Sequence, residues 1–136
     1  MPTLYYTRTN RLPIIDVTVR YHPLNGVAHS SGEIPEARVR ALIDTGATHV
    51  VLQPKIVRAL DLPFAANIDN TVVGGAVHNV PCHAGDVIFG DDPTYTVTDV
   101  LILSQAVSGY EMIIGWDVLR FTKWSFEPTE SFSQSW

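Results

Sequence analysis

Ala41-Leu42-Ile43-Asp44-Thr45-Gly46-Ala47 decides the fold, because it runs an apolar strand into a carboxylate and then into a tight turn. Val39, Ala41 and Ile43 alternate with Arg38, Arg40 and Leu42, the period of a strand with one buried face. Thr-Gly is turn chemistry, and Val50, Val51 and Leu52 resume the extended pattern beyond it. Asp44 is thereby held by a strand on one side and aimed out of a turn on the other, a placement suited to acid/base work. A lone turn aspartate is the plainer alternative. Hydrolysis of an unactivated amide by carboxyl groups needs two, one to deprotonate water and one to protonate the carbonyl oxygen. The chain carries a single motif of this kind.

Outward from that motif the chain reads as mostly β. Ile15, Val17, Val19 and Tyr21 alternate with Asp16, Thr18 and Arg20, predicting a strand over 13–21. Residues 22–36 hold Pro23, Gly26, Gly32 and Pro35 and read as a long, mobile loop. After Pro54, the spacing of Ile56, Val57 and Leu60 predicts a short helix with proline in its first turn. Strands over 70–73 and 76–80 flank Gly74-Gly75, a glycine-tipped hairpin. Further strands are expected at 82–89 and 95–103, parted by Gly-Asp-Asp-Pro, and at 110–114, followed by a short helix over 116–121. Trp124, Phe126, Phe132 and Trp136 then make an aromatic strand pair that needs cover, from a second chain or from the chain's own core.

The 136 residues fit one domain spanning 1–136, and 46% hydrophobic against 17% charged residues is a globular balance. Nine basic and fourteen acidic residues give a net charge of −5, the wrong sign for binding phosphate backbones, so nucleic acid is excluded as a partner. No stretch of 18 apolar residues and no secretory leader pattern is present, which predicts a cytoplasmic chain without a membrane partner. A single cysteine, Cys82, excludes an internal disulfide. The histidines at 22, 29, 49, 78 and 83 meet no zinc-ligand spacing, and neither a metal nor any other cofactor is called for. Asp16, Asp86, Asp91, Asp92 and Asp99 read as surface or turn residues, and Arg38 and Arg40 as a solvated face.

Two segments taken together, Ala-Leu-Ile-Asp-Thr-Gly-Ala at 41–47 and Ile-Ile-Gly-Trp-Asp-Val-Leu at 113–119, resemble the retroviral-type aspartic proteases, the retropepsins. In that family each subunit carries one Asp-Thr-Gly-Ala motif and a late apolar-apolar-Gly motif leading into a short helix. The resemblance spans roughly residues 13–121 and implies an all-β, mostly antiparallel, closed barrel-like acid-protease fold with two short helices. It implies an aspartic endopeptidase acting on peptide or protein substrates, working as a homodimer. Asp44 would be catalytic, completed by Asp44 of a second copy, with Thr45, Gly46 and Ala47 supporting the turn at the dimer axis. Two neighbouring carboxylates cannot both ionise cheaply, so the pair would share a proton and activate water at acidic pH. Ala47 stands where many pepsins place a hydroxyl, implying a dyad that titrates higher than theirs.

By the same resemblance the hairpin over about 70–81 would be the flap, with Val73, Gly74, Gly75 and Ala76 closing on substrate. Its bend carries less glycine than is usual for the family. Ile113, Ile114 and Gly115 would form the floor under the turn, with Asp117 a helix cap. Viral members often place arginine after that glycine, paired to an acidic residue just past Asp-Thr-Gly-Ala; here the positions hold Trp116 and Thr48. Dimer support is then expected from Trp116 and from the aromatic strands over 123–136. Subsite walls would come from the flap, 48–53 and 101–114, apolar by default.

Two other functions start from the same residues. An aspartate after an apolar strand also serves as phosphoryl acceptor in haloacid-dehalogenase-like phosphatases, but those need alternating parallel strands and helices and further magnesium-holding carboxylates. A catalytically silent peptide-binding or dimerisation domain on the same fold is the nearer rival. It would not require Asp44, Thr45 and Gly46 together.

Overall fold

The structure is a computed structural model that describes residues 3–8, 12–26, 28–72, 75–91, 95–127 and 131–136. Strand β2 (Ile14–Tyr21) buries Ile15, Val17 and Val19, and β3 (Glu36–Ile43) buries Val39, Ala41 and Ile43. The two pair antiparallel with Val17 opposite Val39, so both apolar rows enter one core. The loop between them contains a 3-10 turn at Leu24–Gly26. It is tied down at His29, whose ring meets Tyr21 edge-on at 5.0 Å and whose Nε2 lies 3.1 Å from Asp61.

Strand β4 (Val50–Leu52) leads into α1 (Pro54–Ala59), where Pro54 occupies the first turn and Ile56 and Val57 face inward. Strand β5 (Phe64–Val72) then pairs with β6 (Gly75–Phe89). The sequence predicts two strands here, broken at Pro81; the structure has one strand of 15 residues. Proline is accommodated because the strand is already bent, with Asn79 at φ 55° and a register shift opposite Ile68 and Asn70. The bend divides β6 into an outer half paired with β5 and an inner half built into the barrel.

Strand β7 (Thr96–Ser104), the three-residue β8 (Met112–Ile114) and α2 (Trp116–Leu119) follow, the last two shorter than the apolar pattern suggests. The main sheet runs β2-β3-β8-β4-β7-β6-β5, and pairing of β2 with β6 closes six of these strands into a barrel. Most neighbours are antiparallel, but β3 with β8 and β4 with β7 are parallel. The parallel pair β3 and β8 ends at one edge of the barrel, so Asp44 and Gly115 emerge side by side.

Asp86, read from the sequence as a surface or turn residue, is buried at the closing seam. A register shift between Gly85 and Val87 turns it inward, and three donors compensate the loss of water. These are His22 Nδ1 at 2.8 Å, Arg20 Nη2 at 3.3 Å and the Asp99 backbone N–H at 3.0 Å.

A second sheet, ordered β1-β10-β9, consists of β1 (Thr3–Thr7), β9 (Lys123–Phe126) and β10 (Ser131–Ser135). Strand β1 is not foreseen by the sequence pattern. The aromatic strands are covered by their own chain: Phe132 is fully buried, and the rings of Trp124 and Trp136 meet Phe89 at 6.0 and 5.7 Å.

Candidate active site

Asp44 follows directly after β3, where its backbone N–H donates to the Ile114 carbonyl at 3.0 Å. Its Oδ1 accepts the Gly46 N–H at 2.9 Å, and its carbonyl accepts the Ala47 N–H at 3.1 Å. This local closure holds the carboxylate against the turn. Oδ2 has no hydrogen-bond partner among the described residues. Glycine at the third turn position leaves the carboxylate its place, since a Cβ on Gly46 would sit 3.2 Å from Asp44 Oδ1. Thr45 and Gly46 are exposed, and Asp44 is half-buried.

The turn is bolted to the segment beneath it along its whole length. Trp116 and Asp117 donate backbone N–H groups to the carbonyls of Ala47 and Thr48, each at 2.9 Å. Gly115 allows this approach, because a Cβ there would lie 2.5 Å from the His49 carbonyl oxygen and 2.6 Å from that of Ala47. Side chains add two further ties. The Trp116 indole N–H donates to the Thr45 carbonyl at 2.6 Å, and His49 Nδ1 lies 2.9 Å from Asp117 Oδ2. Asp117 therefore does not cap α2, whose N-cap is Gly115 without a side-chain bond. Where the sequence places Thr48 and Trp116 instead of a charged pair, a side-chain tie stands one residue along on each segment, between His49 and Asp117.

Ile113 and Ile114 end β8 and Gly115 follows them beside the turn, with Ile43 opposite Ile114 in the parallel register. Above it opens a cleft of about 790 Å³. Asp44 and His49 line one side, Asp69 to Thr71 of β5 another, and the segment from Gln105 to Tyr110 the far wall. The walls draw on the three regions named by the sequence together with the Asp44 turn, and they are polar and apolar in nearly equal measure. Asn70 Nδ2 donates to Gln105 Oε1 at 3.0 Å, tying the hairpin to that far wall, and Gln53 Nε2 donates to the Val107 carbonyl.

Asp69 is the other carboxylate of the cleft lining. Its Oδ1 accepts the Asn79 N–H at 3.1 Å and its Oδ2 pairs with His78 at 3.3 Å. The Asn79 bond first, and then His78, hold its carboxyl below the ordinary carboxylate value. Asp69 is thus engaged within its own hairpin.

Of the hairpin residues named from the sequence, Gly75 and Ala76 are exposed at the start of β6, and Val73 and Gly74 lie outside the described residues. Among the described residues no group of three or more His, Cys, Asp or Glu side chains is placed to hold a metal. Cys82 is buried, and burial raises its thiol above the ordinary value, away from nucleophilic use. Among the described residues no helix is long and apolar enough to cross a membrane. Sequence reasoning missed His49, Asp69, Asn70 and Gln105 as individual cleft residues. The only signal was position, since His49 falls two residues past Ala47 and Asp69 and Asn70 lead into the glycine bend.

Comparison with known proteins agrees with this geometry. The chain superposes on a retropepsin-like aspartic protease from Rickettsia conorii with a TM-score of 0.66, covering 99% of this chain and 91% of that one at 10% sequence identity. That likeness establishes the all-β retropepsin-like fold. Comparison with curated protein sequences finds no match. A family model described as "gag-polyprotein putative aspartyl protease" matches residues 30–121, which include the Asp44 turn, the hairpin and the floor. The chain belongs to the family of gag-polyprotein aspartyl proteases.

Proposed function

We propose that the protein is an aspartic endopeptidase in which Asp44 and the Asp44 of a second copy form the catalytic dyad at a homodimer axis. The observation that carries this reading is Asp44 itself: one oxygen tethered by Gly46, the other without a partner among the described residues, on a bolted turn opening into the cleft. Asp69 is a poor source of the second carboxyl, because it is hydrogen-bonded within its own hairpin to Asn79 and His78. A symmetric copy supplies one with the same geometry.

The dyad shares one proton, since two adjacent carboxylates resist double ionisation. The ionised member takes a proton from a water lying between them, and that water attacks the scissile carbonyl carbon. The protonated member hydrogen-bonds the carbonyl oxygen as charge develops there. Collapse of the tetrahedral intermediate returns a proton to the departing amine, regenerating the shared-proton state. Thr45, Gly46 and Ala47 hold the geometry, and Ile113 to Gly115 keep the floor rigid. The hairpin around Val73, Gly74, Gly75 and Ala76 acts as a flap that excludes water from bound peptide.

Incubating the purified protein with a denatured protein substrate at about pH 4 to 6 tests the reading. Cleavage by wild type, lost in Asp44→Asn by about a thousandfold or more, is the expected result. Equal cleavage by both, or none by a dimeric wild type, would leave a peptide-binding domain in its place.

A further inference from the structure

Two side-chain amides meet in the wall of the cleft, and each is fixed from behind. Asn70 lies on β5, held by the pairing of that strand with β6, where its register partner is Val77. Gln105 follows β7, and its backbone N–H donates to the Leu52 carbonyl at 3.3 Å. The segment that Gln105 begins is fastened further by Gln53. Its backbone N–H donates to the Glu111 carbonyl at 3.0 Å, and its side chain donates to the carbonyl of Val107. Both amides line the cleft, so their arrangement is set before any ligand arrives.

Asn70 Nδ2 donates to Gln105 Oε1 at 3.0 Å, a bond that uses one group of each amide. The second group of each remains. Asn70 Oδ1, an acceptor, and Gln105 Nε2, a donor, have no partner among the described residues. Turning both amides over exchanges their roles and still leaves one acceptor beside one donor, so the pattern holds for either orientation of the pair.

Apolar surface accompanies this pair. Val51, Val107 and Ile113 also line the cleft, and they pack in one cluster with Cys82 and Leu103. A ligand side chain is thus offered apolar surface for its stem and an acceptor with a donor for its tip. A carboxylate brings acceptors only, and it would meet Asn70 Oδ1 and the Asp69 carboxylate in the same cleft. An ammonium group brings donors only and leaves Gln105 Nε2 unmatched, and a methyl group leaves both unmatched. A primary carboxamide brings one carbonyl and one amino group and satisfies both.

We infer that the cleft selects peptides bearing a carboxamide side chain, glutamine or asparagine, seated on Asn70 and Gln105. The inference rests on the endopeptidase reading for the class of ligand, a peptide. It adds which side chain the cleft prefers and which two residues choose it. Neither residue touches the reacting atoms, so both act on specificity. Two neutral hydrogen bonds gained over an apolar side chain of similar size amount to about tenfold in affinity.

Peptide binding to the Asp44→Asn protein tests this without turnover. Fluorescent extended peptides carry Gln, Leu, Lys or Glu at one position, scanned along the peptide, and anisotropy is read at about pH 7, where side-chain carboxylates are ionised. At one position Gln is expected to bind about tenfold more tightly than the other three. In the same background, Gln105→Glu keeps an acceptor for Asn70 Nδ2 but replaces the donor with a second acceptor, so the preference there should move from Gln to Lys. Asn70→Asp should do the same, since Gln105 can turn over and donate to it. Equal binding of Gln and Leu peptides at every position, binding of none, or a Gln preference that survives both exchanges would overturn the inference. A Lys preference before either exchange would overturn it too, and would assign the choice to Asp69. If wild type cleaves no peptide while the Asp44→Asn protein shows the Gln preference and its switch to Lys, the inference stands and the protease reading falls. Cleavage by wild type without that preference does the reverse.

Discussion

His49 Nδ1 and Asp117 Oδ2 stand 2.9 Å apart, joining the segment after the Asp44 turn to the second turn-residue of α2. The pair lies alongside two backbone bonds between the same segments, from the Trp116 and Asp117 N–H groups to the Ala47 and Thr48 carbonyls, so it trims an existing attachment rather than creating one. Both side chains are about a third exposed, which limits the contribution to that of a partly solvated polar pair.

His49→Ala and Asp117→Asn should each lower unfolding free energy by about 0.5 to 1 kcal/mol, with a coupling of about 0.5 kcal/mol in the double-mutant cycle. Urea titration of the four proteins measures this. Strict additivity would mean that the two side chains act separately.

Gly115 and Gly46 should separate stability from activity. A Cβ on Gly115 meets two backbone oxygens that cannot rotate away, so Gly115→Ala is expected to cost about 1 to 3 kcal/mol or to prevent folding. A Cβ on Gly46 meets only the Asp44 carboxylate, at 3.2 Å. Gly46→Ala should therefore stay folded, displace that carboxylate by a few tenths of an ångström and lose most peptide cleavage. Thermal unfolding and a cleavage assay on both variants check the contrast.

What was legible in the sequence follows from which forces are local. The alternation at Ile15, Val17 and Val19, the proline before Ile56 and the turn at Thr45-Gly46 each declare themselves within a few residues, and the structure has them. Pro81 misleads because its tolerance depends on the bend at Asn79, set by pairing with β5. Strand β1 is invisible because Thr3 to Thr7 lack alternation and become a strand only by pairing with Ser131 to Ser135 at the far end of the chain. Asp86 is buried for the same kind of reason, since the closing register of β2 on β6 decides which way it points. In the site, the motif located Asp44 and its floor, whereas the partners of His49 and Asp69 are tertiary facts.

Tyr6 gives an alkaline signature. Burial pushes its phenol well above the ordinary value, because the phenolate would be unsolvated, while the neutral O–H donates to Gln134. The raised native value means that its contribution to stability is complete below the ordinary phenol value of about 10 and is lost as pH rises from there through the native value. Absorbance titration should show one of the five tyrosines ionising only as the protein unfolds. In Tyr6→Phe that delayed component should vanish, while Gln134 loses a donor and the protein is destabilised by about 1 to 2 kcal/mol.

Asp69 gives the acid counterpart, and it bears on the hairpin above the cleft. Its carboxyl is held below the ordinary value by the Asn79 N–H and by His78, so its contribution is present above an unfolded value of about 3.9 and is lost as pH falls through the depressed native value. The root of the hairpin, where Asn79 sits at φ 55°, should therefore stay fixed across the mildly acidic range in which a carboxylate dyad works. Hydrogen exchange at the Asn79 amide, followed downward from neutral pH, should keep its protection until Asp69 protonates. Asp69→Ala should remove that protection at every pH, by severalfold, without changing exchange at the buried strand amides of Val87 and Phe89. Unchanged protection at Asn79 in the variant would mean that pairing between β5 and β6 alone fixes the bend, and that Asp69 is free to act in the cleft.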